Sequence, residues 1–333
     1  MNKRSSLLDK IFSWKNEGLD VALATVVSTW GSSPCPPGSM LVVNQKGKFA
    51  GSVSGGCIET QVISEALEII CEGGFALLEY GISDSSAVNA GLGCGGNIKV
   101  FAEKIDEKLF EVLIDKTPCV RIVDLDDGTW STFYHSSLVH SSAETSQRAI
   151  LASQILKKEV SLTQRLESRS IFFHMLKPNR KLIIVGGVRI AQAMVPMASE
   201  LGFEITIVDP RPAFANQDRF PGVKIICDWP NKAFLNLTLD AYTAVITLIH
   251  DWEPDDMALE LALNSQVFYI GALGSRKTHI KRIERLRKSG ISTNDIKRIN
   301  APIGLGIGAQ TPEEIAISIV SQIIKVKNLC SRS

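Results

Sequence analysis

Two cysteines stand inside glycine runs, Gly51-Ser-Val-Ser-Gly55-Gly56-Cys57-Ile-Glu59 and Gly91-Leu-Gly93-Cys94-Gly95-Gly96. Glycine neighbours shield a thiol poorly and let the backbone come close to a ligand. Most cysteines are instead small hydrophobes in apolar surroundings. Two such sites within about forty residues suggest a thiol-lined pocket with glycine walls. A thiolate there would ligate a soft metal or carry a transferable sulfur. Buried packing is the alternative for both cysteines. Apolar periodicity (Ile58, Val62, Ala66, Ile69, Ile70) predicts a helix from Cys57 to the Gly73-Gly74 stop. Cys57 then sits at a helix start, where the dipole and free N–H groups favour a thiolate. Glu59, in the first turn, either bonds a ligand or orients the thiol, or it only complements the dipole. Cys35, between prolines, is an outlying candidate, and Cys71, Cys119, Cys227 and Cys330 read as core or tail residues.

A second set of candidates follows in the other half. Lys181–Val185 reads as an apolar strand, Gly186-Gly187 as a turn, 190–201 as a helix, and Glu204–Val208 as a strand ending in Asp209. That is a β-α-β unit, with Asp209 23 residues beyond Gly186. In a dinucleotide-binding turn the second glycine of GxGxxG lets a pyrophosphate reach the helix N-terminus. Val188 holds that position and would crowd phosphates, so the pattern argues for the fold more than for NAD. Asp209 with Arg211 could meet a ribose or phosphate, or Asp209 could cap the strand end. His250 ends a predicted strand beside Asp251, where open α/β sheets place ligands. Ser275 and Arg276 open a basic helix suited to a phosphate or carboxylate, although a plain strand-to-helix turn explains them equally. Ala301–Gly308 is a glycine-rich loop in front of the capping box Thr311-Pro-Glu-Glu314.

These residues need a scaffold, and 333 residues suffice for about two domains. A composition 45% hydrophobic and 21% charged is that of a globular chain. The net charge of +1 argues against a general nucleic-acid or membrane-surface binder. Seven cysteines without framework spacing and without a CxxC pair argue against a disulfide scaffold and a structural zinc site. The amino terminus lacks an apolar signal core and no run reaches membrane-span length, so a cytoplasmic protein is expected. Strands are predicted at 21–29, 40–43, 49–53, 75–80, 98–102 and 119–125, with helices over 5–17 and 107–114. Residues 126–170 are serine-rich and weakly periodic; they complete the first domain's sheet or lead into the linker. After Lys177-Pro178 the pattern alternates strand and helix, which implies a parallel sheet with helices on both faces. The expected class is α/β, with an N-terminal α/β domain at 1–176 bearing the glycine-cysteine loops and a Rossmann-like domain at 177–333.

Several motifs in one order resemble the XdhC/CoxI family. Thr25–Gly38, Gly51–Glu59 and Gly91–Gly96 are similar to its N-terminal domain. Val208–Arg211, Asp251–Asp256, Gly274–Arg276 and Ala301–Leu305 are similar to its Rossmann-like C-terminal domain. The resemblance implies an accessory protein, more a chaperone than an enzyme. It implies binding of molybdenum cofactor, support for its sulfuration with a cysteine desulfurase, and delivery to a xanthine dehydrogenase-type hydroxylase. A homodimer is also implied. Cys57 and Cys94 become candidate molybdenum ligands. Gly55, Gly56, Glu59, Gly93, Gly95, Gly96, Gly186, Gly187, Asp209, Arg211, His250, Ser275 and Arg276 become candidate cofactor-binding residues. The chain departs from the family at Val188 and Arg189, where relatives carry Gly and His, and at Gly306, where aspartate is common. Two rival readings stand beside it: an NAD(P)-dependent oxidoreductase and a docking scaffold.

Overall fold

Side-chain alternation along the first strand decides the layering of the N-terminal half. The structure, a computed structural model, describes residues 3–30, 35–81, 97–134, 137–139 and 146–330. It divides into two compact units between Pro178 and Asn179. The first opens with α1 (Lys3–Asn16), β1 (Val21–Trp30), β2 (Met40–Asn44), β3 (Phe49–Gly51), α2 (Glu59–Glu72), β4 (Phe75–Tyr80) and β5 (Asn97–Lys104). Its strands form an antiparallel sheet in the order β3-β2-β1-β5-β4. Ala22, Ala24 and Val26 face Val62, Ala66 and Ile69 of α2. Val21 and Leu23 point the other way. That period of two is what a strand covered on both faces requires.

The opposite face meets a second antiparallel sheet. After α3 (Glu107–Ile114) come β6 (Cys119–Asp124), β7 (Trp130–Tyr134), β8 (Ser137–Val139), α4 (Ser146–Lys158), β9 (Leu162–Leu166) and β10 (Arg169–Leu176), paired as β8-β7-β6-β10-β9. Val27 and Phe101 of the first sheet pack with Val123 and Phe172 of the second. Val120, Ile122 and Phe173 turn outward onto Ala152 and Ile155 of α4. The unit is therefore layered helix, sheet, sheet, helix. Between the sheets Arg121 reaches Glu103 through two bonds of 2.6 Å, a fork geometry that satisfies both charges away from water. The described residues of 126–170 thus complete a sheet of this unit, the second one, and hold a helix as well. Their periodicity is unreadable because β8 has three residues and β9 buries only Leu166.

The second unit contains β11 (Lys181–Val185), α5 (Arg189–Glu200), β12 (Glu204–Val208), β13 (Lys224–Ile226), α6 (Pro230–Ala233), β14 (Thr243–Thr247), α7 (Trp252–Leu263), β15 (Tyr269–Ala272), α8 (Arg276–Lys288), α9 (Thr293–Ile296), β16 (Ile299–Asn300) and α10 (Pro312–Cys330). All neighbouring strands run parallel in the order β13-β12-β11-β14-β15-β16. Counted within the unit this is 3-2-1-4-5-6, the doubly wound order of a Rossmann sheet. Leu182, Ile184 and Ile246 pack with Met194 and Ile319 on one face. Ile183, Val185 and Val245 pack with Ala258, Leu259 and Leu286 on the other. Burial on both faces explains the unbroken apolar runs of these strands. Among the described residues no helix is long and apolar enough to cross a membrane.

Candidate functional site

Glu59 organises the first glycine-cysteine loop. Its Oε1 accepts from Ser52 Oγ at 2.6 Å and from the amides of Val53, Ser54 and Gly55 at 3.1, 2.9 and 3.2 Å. Its Oε2 accepts from the Gly56 amide at 2.9 Å and from Ser54 Oγ. Successive amides converge on one carboxylate only if the chain turns through left-handed conformations, and Gly55 and Gly56 do so at φ +84° and +119°. Ser54 Oγ in turn accepts from the amides of Cys57 and Ile58, each at 3.0 Å. Burial pushes the Glu59 carboxyl upward, yet the bonds from Ser52, Ser54 and the loop amides overcome it and hold the group down at about 2.

This arrangement leaves the Cys57 side chain exposed on a loop fixed from beneath. The helix opens at Glu59 with Ile58 as N-cap, so Cys57 precedes the first turn where periodicity alone put it at the start. The dipole reading of Glu59 is displaced by a more specific one: its carboxylate folds back and is consumed by the loop. Ser52 and Ser54 escaped sequence reasoning, although two serines ahead of a glutamate at a helix start was the available signal. Cys35 comes to the same loop, its Sγ 3.8 Å from Ser52 Oγ. Gly93, Cys94, Gly95 and Gly96 lie outside the described residues. Among the described residues no group of three or more His, Cys, Asp and Glu side chains is arranged to hold a metal ion.

In the second unit the glycine turn is packed against its own chain. A Cβ on Gly186 would lie 2.8 Å from the Ile249 amide nitrogen, and one on Gly187 2.3 Å from the Phe214 carbonyl oxygen. Asp209 is fully buried. Its Oδ2 accepts from the Gly187 amide and Arg211 Nη2, both at 2.8 Å, and its Oδ1 accepts from the Arg211 amide at 3.0 Å and Nε at 2.9 Å. Arg211 lies over the Phe214 ring at 4.0 Å. Gly187, Asp209 and Arg211 are therefore brought together and occupied by one another. In the glycine-rich loop near the C-terminus, the Gly304 amide donates to Gln322 Oε1 at 2.8 Å, and a Cβ there would meet Ser318 Oγ at 2.3 Å. Packing on α10 thus accounts for that glycine.

One open space lies at the carboxyl ends of β14 and β15, where doubly wound sheets bind ligands. A cavity of about 490 Å³ is lined there by residues that include His250, Trp252, Asp255, Ser275, Lys277 and Arg282. His250 is exposed at φ +65°. Ser275 is the N-cap of α8, its Oγ accepting from the Thr278 amide at 3.1 Å. Arg276, the first residue of α8, is exposed and does not line the cavity. Of the second-half candidates, His250 and Ser275 share this space, while Asp209 and Arg211 belong to the packed turn.

Comparison with known proteins agrees with both halves. Residues 14–81 match the model of the XdhC and CoxI family, and residues 182–323 match that of the XdhC Rossmann domain. The chain is 24% identical to a probable xanthine dehydrogenase subunit of Bacillus subtilis (strain 168), over 98% of each protein. It is 26% identical to the molybdenum cofactor insertion chaperone PaoD of Escherichia coli (strain K12), over 93% of this chain and 84% of that one. The crystal structure of a xanthine dehydrogenase from Bacillus halodurans superposes with a TM-score of 0.76 at 25% identity, covering 99% of this chain and 96% of that one.

Proposed function

The chain belongs to the XdhC and CoxI family, and from that premise we propose that it binds molybdenum cofactor and inserts it into a xanthine dehydrogenase-type molybdenum hydroxylase. The observation that carries this reading is the exposed Cys57 thiol on a loop locked by Glu59. Its donor chemistry fits the cargo, since a lone thiolate is a soft ligand that can hold molybdenum and let it go. Cys94 is the second proposed thiol, carried by its glycines and the family pattern. The cargo brings the metal and its terminal sulfur site; the chain supplies a docking thiol and polar contacts.

Sulfuration belongs to the same proposal, with a cysteine desulfurase as partner. The Cys57 thiolate would attack the terminal sulfur of the desulfurase persulfide. The S–S bond of the donor breaks, its thiolate is released, and the persulfide now sits on Cys57. Working as a cytoplasmic homodimer is part of the proposal too. The buried Asp209 gives no support to an NAD(P)-dependent oxidoreductase. The test is reconstitution of a cofactor-free hydroxylase with released molybdenum cofactor. The protein should raise the active fraction, and Cys57→Ala should lose most of that gain while remaining folded. Equal activation with and without the protein would overturn the reading.

A further inference from the structure

Helix α8 keeps a set of cations that its own fold does not use. Arg276, Lys277, Lys281, Arg287 and Lys288 are exposed, as are Ile280 and Glu284 among them. At 3.6 residues per turn these positions share one arc of roughly 140°. Among the described residues none of the five cations makes an ion pair, whereas Lys99, Lys104, Lys177 and Lys181 each hold a carboxylate. The arrangement costs the helix stability. Its first turn has no acidic residue and carries Arg276 and Lys277, where the dipole disfavours cations. Lys277 and Lys281 are like charges four residues apart, a spacing that repels. A merely solvated face of a chain with 36 Lys and Arg against 35 Asp and Glu would mix the two signs. Apolar surface is exposed here as well. Ile280, in the arc, is 59% exposed, and Trp252, 61% exposed, flanks it through Arg285, which lies 5.8 Å from the indole ring.

We propose that this face of α8, with Trp252 at its flank, docks an acidic protein surface, presented by the hydroxylase that receives the cofactor. The identity of the partner rests on the proposed function; the chemistry of the surface does not. Cations around an exposed aliphatic and an exposed aromatic side chain have the anatomy of a protein interface, an apolar centre inside a polar rim. Glu284 stands within the arc and would repel the phosphates of a nucleic acid or an anionic lipid. A protein surface can instead set one lysine or arginine opposite it. A second copy of this chain is disfavoured, because an isologous contact would bring cation against cation. Lys277, Lys281 and Trp252 also line the cavity at the ends of β14 and β15, so a partner seated on α8 sits at its mouth. Opposite charge on the two surfaces steers their encounter and makes its rate fall with salt.

Binding of the full chain to the cofactor-free hydroxylase of the same organism tests this, followed by biolayer interferometry at about 0.05 and about 0.5 M salt. The association rate should fall about tenfold or more across that range. Arg287→Glu with Lys288→Glu, neither of which lines the cavity, should slow association about tenfold or more, and Ile280→Ala should speed dissociation. Circular dichroism melting checks that both variants remain folded. Wild-type kinetics in both variants would overturn the surface, and so would absence of docking by the wild type. Anionic vesicles, a single-stranded RNA and sedimentation of the chain alone cover the other occupants. Loss of vesicle binding, RNA binding or self-association in the double variant, with hydroxylase docking unchanged, would also overturn it. Titration with released molybdenum cofactor separates the two readings. Cofactor binding without docking through α8 leaves the chaperone reading and removes the surface; docking through α8 without cofactor binding does the reverse.

Discussion

Glu59 converts a glycine-rich stretch into a defined support for one thiol. Replacing one carboxylate oxygen by an amide sets a donor against donors, so Glu59→Gln should cost about 1–3 kcal/mol in chemical denaturation. It should also speed alkylation of Cys57, resolved by mass spectrometry from Cys35 and Cys71; an unchanged rate with unchanged stability would mean that the loop holds itself. The pH dependence has a definite sign. The folded carboxyl titrates at about 2 against an unfolded value of 4.5. Its contribution is therefore complete above pH 4.5 and is lost as pH falls toward 2, on the order of 3 kcal/mol. Acid unfolding of Glu59→Gln should be correspondingly shallower in that window. At this scale the sequence displayed the cysteine and its glycines plainly. It hid the direction of the Glu59 side chain, because an acidic residue in a first turn has a sufficient local reason to be there.

The same logic applies to the helices α7 and α8, whose partnership no periodicity reveals. Arg282 Nε stands 3.5 Å from Asp256 Oδ1, and Arg285 Nη2 donates to the same oxygen at 3.1 Å. Arg282→Ala leaves the buried Asp255 without its nearest cation, while Asp256 keeps Arg285, and should destabilise by about 1–3 kcal/mol in chemical denaturation. Burial pushes Asp255 up to about 7, against the pull of Arg282 and the amides of Ile249 and His250. The folded state therefore holds this proton more tightly, and stability falls as pH rises from about 4 to 7. Asp255→Asn should flatten that slope in urea titrations between pH 4 and 8; a slope equal to the wild type's would contradict the assignment. Long buried strands such as β11 and β14 were readable from their apolar runs. The short edge strands β8 and β9 were not, since three and five residues with little burial give no alternation to read.

At the scale of the whole molecule, two units of different architecture carry different kinds of site. The first displays a thiol on a preorganised loop; the second keeps a Rossmann sheet whose glycine turn is sealed by Asp209, Arg211 and Phe214. The parallel sheet and the altered turn were both legible in sequence, the first from the alternation of strand and helix and the second because Val188 marks the departure from GxGxxG. The sealing was not, because it depends on where the segment after β12 folds back. The most direct measurement is a titration of the purified full chain with released molybdenum cofactor, followed by the pterin fluorescence of the bound fraction. The wild type should bind one cofactor per chain, and Cys57→Ala should bind roughly tenfold or more weakly while keeping its melting temperature. Absence of binding by the wild type, or equal affinity in the variant, would contradict a chaperone that holds its cargo through this thiol.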